Sequence, residues 1–137
     1  DFTQAKGREV MESLLRKYDN INVVYCENDN EACGAIEAIE AAGKKVGSNI
    51  TDGDIMVISF DGVKQQAIDY VLEDKIACIA ECNPLHGPRV KAAIELLEKG
   101  KTPDKLSYVD EEIFSANETV KAITVDGITY LVTILSK

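Results

Sequence analysis

The sequence has 137 residues, 45% hydrophobic and 28% charged, a length and balance that suit one globular domain built on a single core. Its 15 Lys and Arg against 24 Asp and Glu leave a net charge of −9, which repels a phosphate backbone, and an aromatic content of 6% without Trp offers no stacking platform, so nucleic acid is not expected as a partner. No apolar run approaches the ~20 residues of a membrane-spanning helix, and Cys26, Cys33, Cys78 and Cys82 lack the paired spacing of a structural zinc site, so free thiols and no metal or cofactor are expected.

Apolar Val10, Met11, Leu14 and Leu15 recur at three- and four-residue spacings and predict a helix over Thr3 to Tyr18, with Thr3 as its N-cap. NVVYC, from Asn22 to Cys26, reads as a short buried strand. Asn28 or Asp29 then caps a second helix whose stripe of Ala32, Ala35, Ile36 and Ile39 stops at Gly43. DIMVISF, from Asp54 to Phe60, is the next strand, and Asp61-Gly62 turns into a helix from about Val63 to Glu73. Ile76 to Cys82 is the third strand, and Pro84 sits near the start of a helix that ends about Gly100. Strands alternating with helices predict an α/β fold, a three-layer parallel sheet with helices on both faces. After Gly100 the rhythm breaks. KTPDKLSYVD reads as extended, Ser115 with Glu118 has the pattern of a capping box, and ITYLVTIL after Asp126-Gly127 is strand-like.

Ligands of an open parallel sheet bind beyond the carboxyl ends of its strands, and three polar clusters fall there: Glu27-Asn28-Asp29, Asp61, and Glu81 with Asn83. Carboxylates and amides in a cleft suit a polyhydroxyl ligand, because each exchanges several directed hydrogen bonds with neighbouring hydroxyls. Asn28, Asp29 and Asp61 equally suit turns and helix caps, and pattern alone leaves both roles open. The sole histidine, His86, has no nucleophile motif beside it, and neither a Walker loop nor a GxGxxG fingerprint is present, so nucleotide chemistry has no foothold.

The runs DFTQAKG, NVVYCENDNEACGAIEAI, DIMVISFDG and IACIAECNPLHGP resemble the second lobe of ribose-type periplasmic sugar-binding proteins from Asp1 to about Asp110, leaving residues 111–137 as a divergent tail on a single lobe. The resemblance implies two α/β lobes that close on a monosaccharide outside the cytoplasm, in the periplasm or anchored to the cell surface as a lipoprotein, and that dock on the membrane permease of an ABC transporter. It implies ligand roles for Phe2, as the aromatic that stacks on the sugar ring, and for Asn28 and Asp61, in the ND and FDG motifs. Asp29 is read instead as the cap of the following helix. Glu81 stands where ribose binders carry Gln, which disfavours ribose, and the ECNP run resembles a branch associated with galactose-type sugars, including the furanose form. Asn83 joins the site or serves only the turn before Pro84.

The resemblance also leaves the first lobe, and the first strand and helix of the second, outside this chain. A vacant sheet edge beside Asn22 to Cys26 is expected in consequence, filled by the β-rich tail folding back or by a second copy in a homodimer. Two other functions share these features: the effector core of a sugar-responsive repressor, marked by an upstream helix-turn-helix, and a small carbohydrate-active enzyme using Asp61 and Glu81 as its carboxylate pair. The sugar-binding role, without catalysis, fits the residues best.

Overall fold

A computed structural model describes residues 1–136. The first helix, α1, spans Gln4–Lys17; the Thr3 hydroxyl accepts from the Lys6 N–H at 3.2 Å, and Arg16 and Lys17 lie in the last turn, where cations oppose the helix dipole. Strand β1, Val23–Tyr25, leads into α2, Asp29–Ala41. Asn28 caps α2 through its Oδ1, which accepts from the Glu31 N–H at 2.9 Å, and the chain leaves the helix through Gly43 at φ +71°, a left-handed position that glycine takes without strain. Strand β2, Met56–Asp61, helix α3, Gln65–Leu72, strand β3, Cys78–Glu81, and helix α4, Gly87–Glu98, complete the alternating part.

Strands β1, β2 and β3 are parallel, as right-handed crossovers through α2 and α3 require. Helix α2 forms the centre of the core. Ala32, Cys33, Ile36 and Ile39 are fully buried along it, and they join Val57 and Ile79 from the sheet and Met11 from α1 in one apolar cluster. Helix α1 packs on α2 through two glycines, with Gly34 against the backbone of Gln4 and Arg8 and Gly7 against that of Glu31. The cluster is α/β in composition and pattern, as the periodicities require.

Several boundaries move for local reasons. Strand β2 begins after Asp54 because that carboxylate is buried in the preceding turn, where it accepts from the Asn49 N–H at 3.3 Å and pairs with Lys45 at 2.8 Å. Helix α4 begins at Gly87, with Pro88 in its first turn, and Pro84 lies ahead of it. Asn83 accepts from the Leu85 N–H at 2.9 Å and so turns the chain before the helix starts.

The tail departs more from expectation. Strand β4, Ile113–Ser115, runs antiparallel to β3; β5, Ala122–Val125, and β6, Ile128–Ile134, form a hairpin through Asp126 and Gly127, both at positive φ, and the sheet order is β1-β2-β3-β4-β6-β5. Ser115 is therefore not a helix cap. It is a buried strand residue whose hydroxyl donates to the Ala77 carbonyl at 2.8 Å and accepts from the Asn117 N–H at 3.1 Å. Nor does the tail fold back over β1. It extends the sheet from β3, with β4 paired to that strand and β6 paired to β4, so the outer edge of β1 pairs with no strand among the described residues. Lys137, the last residue of the tail, lies outside the described residues.

Candidate functional site

Because β1, β2 and β3 are parallel and in register, with Tyr25 beside Ile58 and Asp61 beside Glu81, the segments that follow them emerge on one edge of the sheet. Asn28, Asp61 and Glu81 therefore share that edge. Phe2 comes to the same edge, since it stands just before the Thr3 cap of α1 and is tied to Asn30 in the first turn of α2. The Phe2 ring is 70% exposed, and its carbonyl accepts from Asn30 Nδ2 in the first turn of α2 at 3.3 Å.

Asn28 combines the two roles that pattern left open. Its Oδ1 caps α2, whereas its Nδ2 is buried and has no hydrogen-bond partner among the described residues. A buried donor without an acceptor costs about 1–3 kcal/mol, so a ligand oxygen that reaches it gains a group already stripped of water. Asp61 ends β2 at φ +102°, a conformation that non-glycine residues seldom adopt and that clusters at functional positions. Its carboxylate accepts no hydrogen bond among the described residues. Burial pushes the Asp61 carboxyl above its ordinary range, with smaller contributions from the charges of Asp29 and Glu31.

The other two candidates are partly engaged by the tail. Glu81 Oε2 accepts from the Glu112 N–H at 3.0 Å, which fastens the entry to β4 beside β3. Asn83 donates its own N–H to Glu111 at 3.1 Å while its side-chain oxygen holds the Leu85 N–H, so its side chain serves the turn. His86 is exposed at the start of α4. The edge thus offers an apolar ring face, one orphaned donor and two carboxylate acceptors.

Asp29 holds a position that its sequence reading missed. It is 2% exposed and does not cap α2. Its Oδ2 accepts from the N–H groups of Val63 and Lys64 at 2.8 and 2.9 Å, and its Oδ1 from the Ser59 hydroxyl at 3.1 Å and the Gly62 N–H at 3.4 Å. Helix α3 has no side-chain cap of its own, so the carboxylate of Asp29 serves its N-terminus from across the fold. The sequence signal was there to find: a helix start at Lys64 without a Ser, Thr, Asp or Asn cap needs an acceptor from elsewhere. Lys64 adds a second tie, donating its Nζ to Gln4 at 2.6 Å and Asn30 at 3.0 Å.

A sheet of this topology with a polar edge at its carboxyl ends defines one lobe of the type 1 periplasmic binding protein fold. Residues 1–97 match the profile of the periplasmic binding protein domain, and the chain belongs to that family. It is 34% identical over 118 residues to the galactofuranose-binding protein YtfQ of Escherichia coli K12, covering 83% of this chain and 35% of that one. With the ribose import binding protein RbsB of Bacillus subtilis 168 it shares 37% over 106 residues, 77% of this chain and 32% of that one. The solved periplasmic binding protein of the arabinose ABC transporter from Shewanella sp. ANA-3, bound to α- and β-L-arabinofuranose, superposes with a TM-score of 0.73 at 32% identity, over 83% of this chain and 37% of that one. The chain spans about a third of the length of these relatives.

Proposed function

We propose that this chain is the sugar-contacting lobe of the solute-binding component of a carbohydrate ABC transporter, working outside the cytoplasm and delivering its ligand to a membrane permease. The observation that carries the reading is the shared edge of Phe2, Asn28, Asp61 and Glu81, where the Asn28 amide donor and the Asp61 carboxylate both lack protein partners among the described residues. The Phe2 ring takes the C–H face of the sugar, Asn28 donates to a hydroxyl oxygen, and Asp61 and the free oxygen of Glu81 accept from hydroxyls. Asn83 acts in the turn behind Glu81 and reaches the ligand only through its neighbours.

The ligand is a monosaccharide of galactose or arabinose type, taken in its furanose form. What supports this is that relatives at 32–34% identity are named for galactofuranose or bound to arabinofuranose. The sugar is bound and released unchanged. A second lobe closes over it, because one open edge leaves water competing for every hydrogen bond, and the isolated chain therefore binds weakly.

Saturation-transfer NMR on the chain with L-arabinose, D-galactose and D-ribose tests the reading. Transfer from aromatic protons to the ring C–H protons of L-arabinose or D-galactose, lost in Phe2→Ala, is the expected result. Equal transfer to all three sugars that survives Phe2→Ala would refute it.

A further inference from the structure

We infer that Asp29 is a positioning residue, whose carboxylate holds the loop from Asp61 to Lys64 in the one shape that presents the Asp61 side chain at the site. The inference rests on the reading of Asp61 as a sugar ligand. Asp61 and Gly62 stand at φ +102° and +71°, and three consecutive N–H groups, from Gly62, Val63 and Lys64, converge on the two oxygens of Asp29. Consecutive amides that point inward in this way form a concave anion seat, and here the anion is supplied by the protein itself. A non-glycine residue keeps such a backbone only where its surroundings over-determine it.

Two further contacts fix the seat from behind. Ser59, buried in β2, donates to Oδ1 of Asp29 and so orients the carboxylate. Gly62 lies against Phe114 of β4, so a side chain there meets the ring as well as an unfavourable φ. Asp29 follows Asn28 directly, so the residue that carries the orphaned amide and the residue that sets the Asp61 loop belong to the same turn of α2. Lys64 extends the arrangement to the third candidate, because its ammonium binds Gln4 and Asn30, and Asn30 binds the Phe2 carbonyl. Phe2, Asn28 and Asp61 are thereby set relative to one another by residues that do not themselves face the ligand.

The test compares the 137-residue chain with its Asp29→Asn and Ser59→Ala variants by amide hydrogen exchange and by titration with L-arabinose. Asp29→Asn keeps the shape but replaces one acceptor oxygen with a donor that faces the converging N–H groups. Exchange at Gly62, Val63 and Lys64 should accelerate about tenfold or more while Val57 and Ile79 stay protected, and the arabinose response of Asp61 should weaken about tenfold. Ser59→Ala removes only the bond that orients the carboxylate and leaves the three loop N–H contacts in place, so its arabinose response should weaken less than that of Asp29→Asn. Uniformly faster exchange in Asp29→Asn, or no change at residues 62–64, overturns the inference. So does a loosened loop that binds arabinose as before, and the sugar reading then stands alone. If the unaltered chain shows no arabinose response, the titration is made with D-galactose; a response to neither sugar defeats the sugar reading, and the exchange rates alone then decide whether Asp29 sets the loop. Should Asp29→Asn not fold, the unaltered chain decides. A through-hydrogen-bond coupling from the Val63 and Lys64 nitrogens to the Asp29 carboxyl carbon supports the inference, and its absence overturns it.

Discussion

Replacing Gly34 by alanine sets two physical effects of opposite sign against each other. Ala exceeds Gly in intrinsic helix propensity by about 0.8–1 kcal/mol, so at an uncrowded position in the middle of α2 the change would stabilise the protein. At Gly34, however, the new Cβ meets the backbone of α1, with the Arg8 nitrogen at 2.7 Å and the Gln4 carbonyl carbon at 3.0 Å, where ordinary contact begins at 3.4 Å. Backbone cannot rotate away as a side chain can, so α1 must retreat by more than half an ångström. A gap of about 0.5–1 Å forfeits a quarter to a half of each affected dispersion contact, and overpacking of this kind costs roughly 1–3 kcal/mol. Met11, buried where α1 meets the cluster, loses part of its apolar burial as well. After the propensity gain we expect a net loss of up to about 2 kcal/mol. Urea denaturation followed by circular dichroism measures it, with Gly43→Ala as a control whose cost is set by its φ of +71° and not by crowding. A Gly34→Ala chain as stable as the original or more so would refute the close-packed crossing of α1 on α2.

Other outcomes follow from single residues. The Asp61 carboxyl is raised from an ordinary 3.8, so the folded state binds its proton more readily than the unfolded chain, and stability falls as pH rises from 3.8 through the raised value. Asp61→Asn should therefore gain stability over the original as pH increases from 3 to 7 in urea melts, and a difference constant with pH would contradict the burial of this carboxyl. Burial pushes the Cys26 thiol up to about 12 and the Cys33 thiol up to about 11, while Cys82 is exposed, so a thiol-reactive dye at pH 8 should label Cys82 first and leave Cys26 and Cys33 intact until denaturant is added. Labelling of Cys26 at the rate of Cys82 would be inconsistent with the packing of α2 on the sheet. Ser115→Ala removes the donor to the Ala77 carbonyl and the acceptor of the Asn117 N–H, both part-buried, and should cost about 1–3 kcal/mol in the same melts; a neutral change would show that β4 is held to β3 by its ladder alone.

What was legible in the sequence was whatever neighbouring residues decide among themselves. The Thr3 cap, the Gly43 stop and the strand after Asp126-Gly127 each rest on groups within a few residues of one another, and each is found where the pattern put it, whereas the pattern offered both Asn28 and Asp29 as the cap of α2 and the structure assigns Asn28. The parallel strands followed from the alternation of strands and helices, and with them the shared edge of Asn28, Asp61 and Glu81. Asp29 was misread because its partners, Val63 and Lys64, are 34 and 35 residues away, and a carboxylate at a helix start satisfies the local capping rule equally well. Ser115 was misread for the same reason: Ser followed three residues later by Glu has the capping pattern, and only the Ala77 carbonyl, 38 residues distant, shows that the hydroxyl belongs to a strand. The placement of the tail beside β3 and not β1 is a choice between long-range pairings, which periodicity does not encode.

The central claim is that the unpartnered groups of Asn28 and Asp61 receive a sugar. The most direct measurement is a titration of the isotope-labelled chain with L-arabinose and D-galactose up to about 100 mM, a range that reports dissociation constants weaker than the roughly 1 mM equivalent to −4.1 kcal/mol. One of the two sugars should move the Asn28 side-chain amide signals together with the Asp61 and Gly62 backbone signals along a common saturation curve, and Asp61→Ala should abolish the response. Signals of Asn28 and Asp61 that stay in place with both sugars, or move only with residues far from this edge, would contradict the claim.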